Sequence, residues 1–189
     1  MPTLITLQMP ISWSEFGFPP HLQTGSTCLI EGAEPAWAWE GEAPDLGIAS
    51  CQTAVGVPAA AWGTDHVVIL TASVDEAAGR LGAVGLNPRL RMTVRGRPTA
   101  FFRVGPVLEV VESPVRAPAI FGIALVTDES LESVALRWRS LGHEVTDPRP
   151  AIQPGRRILT VKGLQAGLAV MSPDRSPPRR SRSGLRRRR

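Results

Sequence analysis

The chain has 189 residues, 43% of them apolar and 20% charged, with a formal charge of +4 and a pI near 10.3. That length supports one well-cored domain, or one domain with appendages, and no apolar run approaches the roughly 20 residues that a membrane span needs. The charge misleads as a guide to partners: eight arginines and no acid fall in 175–189, so residues 1–174 carry 13 basic against 17 acidic groups.

Residues 1–63 hold six acids, no Lys or Arg, and four of the five tryptophans. They open without the basic and apolar regions of a secretory signal, so a cytoplasmic protein is expected. Short β-like runs stand at 3–9 and 26–32, and no period of 2 or 3.6 is sustained. The segment is expected to be an N-terminal extension, either loosely structured with its tryptophans packed on the main domain or a poorly ordered leader. Cys28 and Cys51 lack a neighbouring CxxC or HxxxH, and two free thiols are expected in a reducing compartment.

From residue 64 the pattern sharpens and repeats. DHVVIL at 65–70 leads into VDEAAGRLGAV at 74–84, and FGIALV at 121–126 leads into LESVALRWRSL at 131–141. Val74, Ala77, Ala78, Leu81 and Val84 form one helical stripe, and Leu131, Val134, Ala135, Trp138 and Leu141 repeat its spacing. Ser73 with Glu76 reads as a capping box, and Gly82 or Gly85, then Gly142, can end the two helices. Strands are expected at 87–94, 98–104 and 107–112, then at 143–147, 156–162 and 167–172. Each unit is thus strand–helix–strand–strand–strand, and two such units make an α+β domain of mixed four-stranded sheets, each with a helix on its outer face. The modules span about 64–114 and 119–173.

The segment 174–189 cannot bury apolar surface and is expected to be disordered. Its arginines would attract phosphate backbones without sequence readout. No aromatic–basic platform elsewhere supports nucleic-acid binding, so a nucleic-acid partner is not expected.

Two tandem βαβββ units, a first strand opening with Asp65-His66 and a fourth strand reading Leu108-Glu109-Val110-Val111 resemble the vicinal oxygen chelate superfamily, the glyoxalase, bleomycin-resistance and extradiol-dioxygenase group. The run from PRPAIQPGRRI at 148–158 to LAVMSP at 168–173 looks like bacterial glyoxalase-like domains of that superfamily. The resemblance covers about 64–173. It implies a cup formed by the two modules, with any divalent metal bound by the first and fourth strands of each. His66 and Glu109 would then be the metal ligands, and the same two residues are the catalytic candidates. Strand alternation would put Val67, Ile69, Leu108 and Val110 on the helix side.

In the second unit, Gly122 (or Phe121, with a one-residue slip) stands at the place of His66, and Ala169 at that of Glu109. Neither can bind a metal, and catalytic zinc sites typically use three protein ligands. The expected cofactor is none, or a weakly bound divalent ion. Without a metal, a His–Glu pair can still transfer protons, because imidazole titrates near neutral pH. Alternatively His66 is a buried, hydrogen-bonded histidine beside a carboxylate.

Arginines cluster at 89–103 and 156–157, and those facing inward would favour an anionic ligand. Arg103, Arg157 and Phe101 are the expected ligand-binding residues. No GxSxG, Walker-type loop, GxGxxG or HExxH is present. The expectation is a glyoxalase-like protein that binds a small organic molecule: a lyase, isomerase or dioxygenase, or a non-catalytic metabolite- or antibiotic-binding protein. It would be a monomer or homodimer without a membrane partner.

Overall fold

The computed structural model describes residues 1–174; the arginine-rich run at 175–189 lies outside the described residues. The first strand, β1 (Thr3–Met9), lies where its apolar run predicts, and β3 (Thr27–Glu31) within the second run. Three more strands complete a sheet in the order β4-β1-β3-β2-β5: β2 (His21–Thr24), β4 (Ala36–Glu40) and β5 (Val57–Pro58). Residues 1–63 therefore carry an ordered five-stranded sheet, with Trp13 and Trp62 in the core shared with the repeated units. The period was hidden because β1 and β3 pair in parallel at its centre, with Leu4, Leu7, Cys28 and Leu29 all fully buried. Centrally placed strands lose the polar alternation of half-buried ones. Both cysteines are free thiols.

The repeated units follow. The first is β6 (Trp62–Thr71), α1 (Val74–Ala83), β7 (Leu90–Val94), β8 (Arg97–Arg103) and β9 (Val107–Glu112). The second is β10 (Ala119–Thr127), α2 (Leu131–Ser140), β11 (Arg149–Pro150), β12 (Arg157–Val161) and β13 (Gly167–Met171). Both helices start as their sequences require: the Ser73 hydroxyl accepts from the Glu76 amide at 3.2 Å, and the Ser130 hydroxyl from the Ser133 amide at 3.4 Å. Gly85, not Gly82, follows α1 with a φ of 82°.

The four-stranded halves are hydrogen-bonded to each other through antiparallel pairing of β6 with β10, giving one sheet in the order β11-β12-β13-β10-β6-β9-β8-β7. Within each half the first strand runs parallel to the fourth. The strand expected at 143–147 is reduced to a single bridge, Val145 to Val161, and the paired edge is Arg149–Pro150. Pro148 and Pro150 lack the amide needed to extend it. The boundary drawn at 63/64 falls inside β6.

Alternation sorts the sheet faces as predicted. Val67, Ile69, Leu108 and Val110 are fully buried on the helix side, together with Leu159 and Val170 of the second unit. One continuous apolar core joins this face, both helices and the N-terminal sheet. Trp138 of α2 is its hub, edge-on to Phe16 at 4.9 Å and stacked with Trp62 at 5.9 Å. His143 stacks on Phe16 at 3.9 Å and lies 2.9 Å from the Glu15 carbonyl, fastening the N-terminal segment just beyond α2. The Leu4 amide donates to the Val104 carbonyl, and the Thr24 and Thr64 hydroxyls lie 2.6 Å apart. With this side occupied, the opposite face of the eight-stranded sheet is free to form a site.

Candidate functional site

Two consecutive strand residues normally point to opposite faces, yet Asp65 and His66 both line the cavity on the open face. The register explains it. His66 is opposite Ala124 and Thr64 is opposite Leu125, so Asp65 is the extra residue of a β-bulge. A bulge re-aims side chains at the cost of one ladder bond. Here it turns a carboxylate and an imidazole toward the same side.

The two groups touch. His66 Nδ1 lies 2.7 Å from Asp65 Oδ2, and His66 Nε2 lies 3.6 Å from Glu109 Oε2, with all three side chains largely buried. The other oxygen of Asp65 accepts from Arg156 at 2.5 Å, and Arg156 also donates to the Ser172 carbonyl at 2.9 Å. Burial alone would raise the Asp65 carboxyl. The hydrogen bonds from His66 and Arg156, with their charges, outweigh it and hold Asp65 below the usual carboxylate value. Glu109 goes the other way: burial pushes its carboxyl up, against the weaker pull of His66 and Arg95 and with the help of Asp65. Two carboxyl groups flanking one imidazole are thus driven apart in acidity.

The cavity measures about 660 Å3 and draws its walls from both units. Leu90, Met92, Val94, Phe101 and Val107 come from the first, and Pro150, Ile152, Pro154, Ile158 and Met171 from the second. Asp65, His66, Glu109, Gln153 and Arg156 are the polar groups beside them, with Arg95 and Arg149 also in the lining. A mostly apolar cleft of this size with a few convergent polar groups is the ordinary form of a small-molecule site.

His66, Glu109 and Phe101 therefore meet in one place; the two arginines expected to join them do not. Arg157 lies on the helix side, where it pairs with Glu132 of α2 at 2.6 Å, and the inward residue is its neighbour Arg156. The strand reads Ile158-Leu159-Thr160-Val161, apolar on both parities at its start, so alternation could not choose between the two arginines. Arg103 shares the parity of Phe101 but is exposed at the end of β8, outside the cavity lining. Sequence reasoning also passed over Asp65, Arg95 and Arg149 as site residues. Only a bulge, a hairpin tip and a short edge strand place them, and none of these has a hydrophobic period to betray it.

The second unit repeats the scaffold down to its irregularity. β10 carries its own bulge, at Phe121, between the pairs Ile120–Ile69 and Gly122–Val68. The displacement that carries Asp65 onto Phe121 carries His66 onto Gly122, and Ala169 stands beside Ala124 as Glu109 stands beside Val68. A Cβ on Gly122 would lie 2.4 Å from the Gly167 carbonyl oxygen. Backbone occupies the space where a second-unit ligand would begin.

Of the four positions that the resemblance implies, Gly122 and Ala169 offer no donor; the neighbouring Asp65, outside that set, is committed to His66 Nδ1 and Arg156. Among the described residues no three His, Cys, Asp or Glu side chains are placed to hold an ion. The donor set does not fit a catalytic divalent metal.

No family model and no curated protein matches the sequence. Solved structures do match. A hypothetical protein of Bacillus halodurans C-125 aligns at 18% identity with a TM-score of 0.50, over 61% of this chain and 97% of that one. The methylmalonyl-CoA epimerase of Mycobacterium tuberculosis aligns at 19% identity and a TM-score of 0.49, over 59% and 87%. A Streptomyces coelicolor methylmalonyl-CoA epimerase variant in complex with 2-nitronate-propionyl-CoA aligns at 17% identity and 0.47, over 59% and 96%. The paired βαβββ modules give this chain the fold of the vicinal oxygen chelate superfamily, and no helix among the described residues is long and apolar enough to cross a membrane.

Proposed function

Starting from a vicinal oxygen chelate fold with metal donors in only one of its halves, we propose that the cup binds a small organic molecule and moves a proton on it without a metal. The observation that carries this reading is the line Asp65–His66–Glu109 on the cavity wall. Asp65 is held below the usual carboxylate value, so His66 Nδ1 donates to it, and in the neutral imidazole Nε2 is the free acceptor beside Glu109 and the cavity. Asp65 fixes the ring and stabilises the imidazolium that forms, while Arg156 keeps Asp65 charged. Burial pushes the Glu109 carboxyl up, and in its protonated form it is the acid that faces Nε2 and the cavity.

The reaction class that uses these groups is proton abstraction next to a carbonyl. Nε2 takes the proton of the activated C–H bond, the electron pair moves onto the carbonyl oxygen, and that oxygen accepts the Glu109 proton. Reversal at the same or the adjacent carbon completes an isomerase; loss of a β-substituent from the enol completes a lyase. Dioxygenase chemistry has no support from this donor set. Positioned acids and bases of this kind contribute about 100- to 10,000-fold each.

A second reading, a non-catalytic sequestering protein, is favoured by the mostly apolar lining: beside Arg149, Gln153 and Arg156 the second unit offers Pro150, Ile152, Ile158 and Met171. One experiment separates the two. The protein is incubated in deuterated water with a panel of small ketones and 2-oxo acids, and α-carbon exchange is followed by NMR alongside ligand-induced thermal shift. Exchange that disappears in His66→Ala supports the enzyme. A thermal shift without exchange selects the binder. Neither exchange nor thermal shift across the panel would count against both.

A further inference from the structure

The arginines described so far are mostly spoken for. Arg91 pairs with Asp75, Arg97 donates to Ser113, and Arg156 and Arg157 pair with Asp65 and Glu132. Arg95 and Arg149 also line the cavity, yet neither donates a side-chain hydrogen bond or forms an ion pair among the described residues. They come from opposite edges of the sheet, Arg95 from the hairpin that follows β7 and Arg149 from β11. The cavity wall holds three arginines against two carboxylates, and Asp65 already neutralises Arg156.

Arg95 also sits where an arginine is out of place. Val94 pairs with Arg97, so Arg95-Gly96 is a two-residue hairpin loop, with φ of 50° and 79°. Two positive φ values define the turn that normally takes Asn-Gly, Asp-Gly or Gly-Gly. Arg95 is the one non-glycine residue with a positive φ among the described residues. Backbone strain of this kind tends to gather at ligand sites, and here it carries to the cavity wall a guanidinium that makes no salt bridge, with Glu109 as the carboxylate near enough to feel its charge.

We propose that Arg95 and Arg149 form a two-sided clamp for an anionic group, so that the ligand has an apolar body and a carboxylate, sulfonate or phosphate head. This rests on the small-molecule reading of the cup and names the ligand class. The apolar walls take the body while guanidinium groups at the two sheet edges bind the head. Guanidinium matches planar or tetrahedral oxyanions with paired N–H donors.

The test compares two fluorescent probes of similar shape, 8-anilinonaphthalene-1-sulfonate and the uncharged N-phenyl-1-naphthylamine. Arg95→Gln and Arg149→Gln should each weaken the sulfonate about 5- to 10-fold, the value for a charge-assisted hydrogen bond discounted for exposure. The neutral probe should change less than twofold. Competition with 1-naphthoate and 1-naphthyl phosphate then assigns the head as carboxylate or phosphate. In Arg95→Asn the sulfonate affinity should fall while the melting temperature rises by about 1–3 °C, because Asn accepts the left-handed conformation. Sulfonate affinity unchanged in the double variant overturns the clamp. Ile158→Trp, which fills the cavity, keeps the two ideas distinct. A neutral probe that binds and is expelled by Trp supports the cup whatever the arginines do. A neutral probe that does not bind removes the cup and the clamp together.

Discussion

Asp65 Oδ2 lies 2.7 Å from His66 Nδ1, although the two residues are adjacent in a strand and regular pleating would send them to opposite faces. The bulge in β6 makes the contact, and Arg156 on the far unit completes it. Asp65→Asn removes an ionised acceptor and leaves a largely buried guanidinium unpaired. Breaking a buried ion pair costs about 3–5 kcal/mol, reduced here to about 2–3 kcal/mol because Asp65 keeps some solvent contact. Because the folded carboxyl is held below its ordinary value, its stabilisation is present above the ordinary carboxylate range and is lost as pH falls through that lowered value. Chemical denaturation of both proteins from pH 7 to pH 3 should show the difference shrinking toward the acid end.

Glu109 has the opposite sign. Its folded carboxyl is pushed above its ordinary value by burial, so folding gains from protonation at low pH and is penalised as pH rises past the ordinary carboxylate range and through the raised value. Glu109→Gln should therefore leave stability unchanged or raise it at pH 7–8, and the advantage should vanish below pH 4. A variant less stable at pH 8 than at pH 4, relative to the parent, would contradict the assignment.

Gly122→Ala tests the close approach of β10 to β13. A Cβ at this position meets the Gly167 backbone, which has no side-chain torsion to yield. Overpacking typically costs about 1–3 kcal/mol, or roughly 3–10 °C in melting temperature for a chain of this length. Ala169→Ser, at the matching position on β13, should cost far less in the same thermal melt.

Elemental analysis of protein purified without chelator should find divalent metal well below one per chain, with no change in His66→Ala. Stoichiometric metal that disappears in the variant would show that His66 and Glu109 recruit a ligand from outside the described residues.

Trp138→Ala should unfold more than the second helix. Its ring touches Phe16, Phe18 and Trp62 as well as its own unit, and large-to-small changes of this kind cost about 3–5 kcal/mol. Circular dichroism and tryptophan fluorescence should report one coincident transition at a lower midpoint. Two separated transitions would mean that the N-terminal sheet folds independently.

The elements with a strong period were legible in the sequence: both helix stripes, the Ser73 cap, and the apolar parity that puts Val67, Ile69, Leu108 and Val110 under the helices. So was the lopsidedness, with Gly122 and Ala169 in the second unit at the places of His66 and Glu109. What escaped was set by irregular backbone or long-range pairing. The N-terminal sheet is built on a parallel β1–β3 pair whose double burial erased the alternation. Asp65 reaches the site only through a bulge, which no residue pattern announces. Arg156 and Arg157 were confused because Ile158 and Leu159 are both apolar, and only the position of Glu132 on α2 separates them.

The eight strands run from β11 at one margin to β7 at the other, and both margins line the same cavity. The sheet is therefore an unclosed barrel whose seam lies open between Arg149-Pro150 on one side and Leu90–Val94 on the other. A hydrogen-bond ladder would lock that seam at one spacing; no strand pairing joins the two margins among the described residues. A molecule bridging the two margins would stand in for the missing rung, so that filling the cup and fastening the seam become one event.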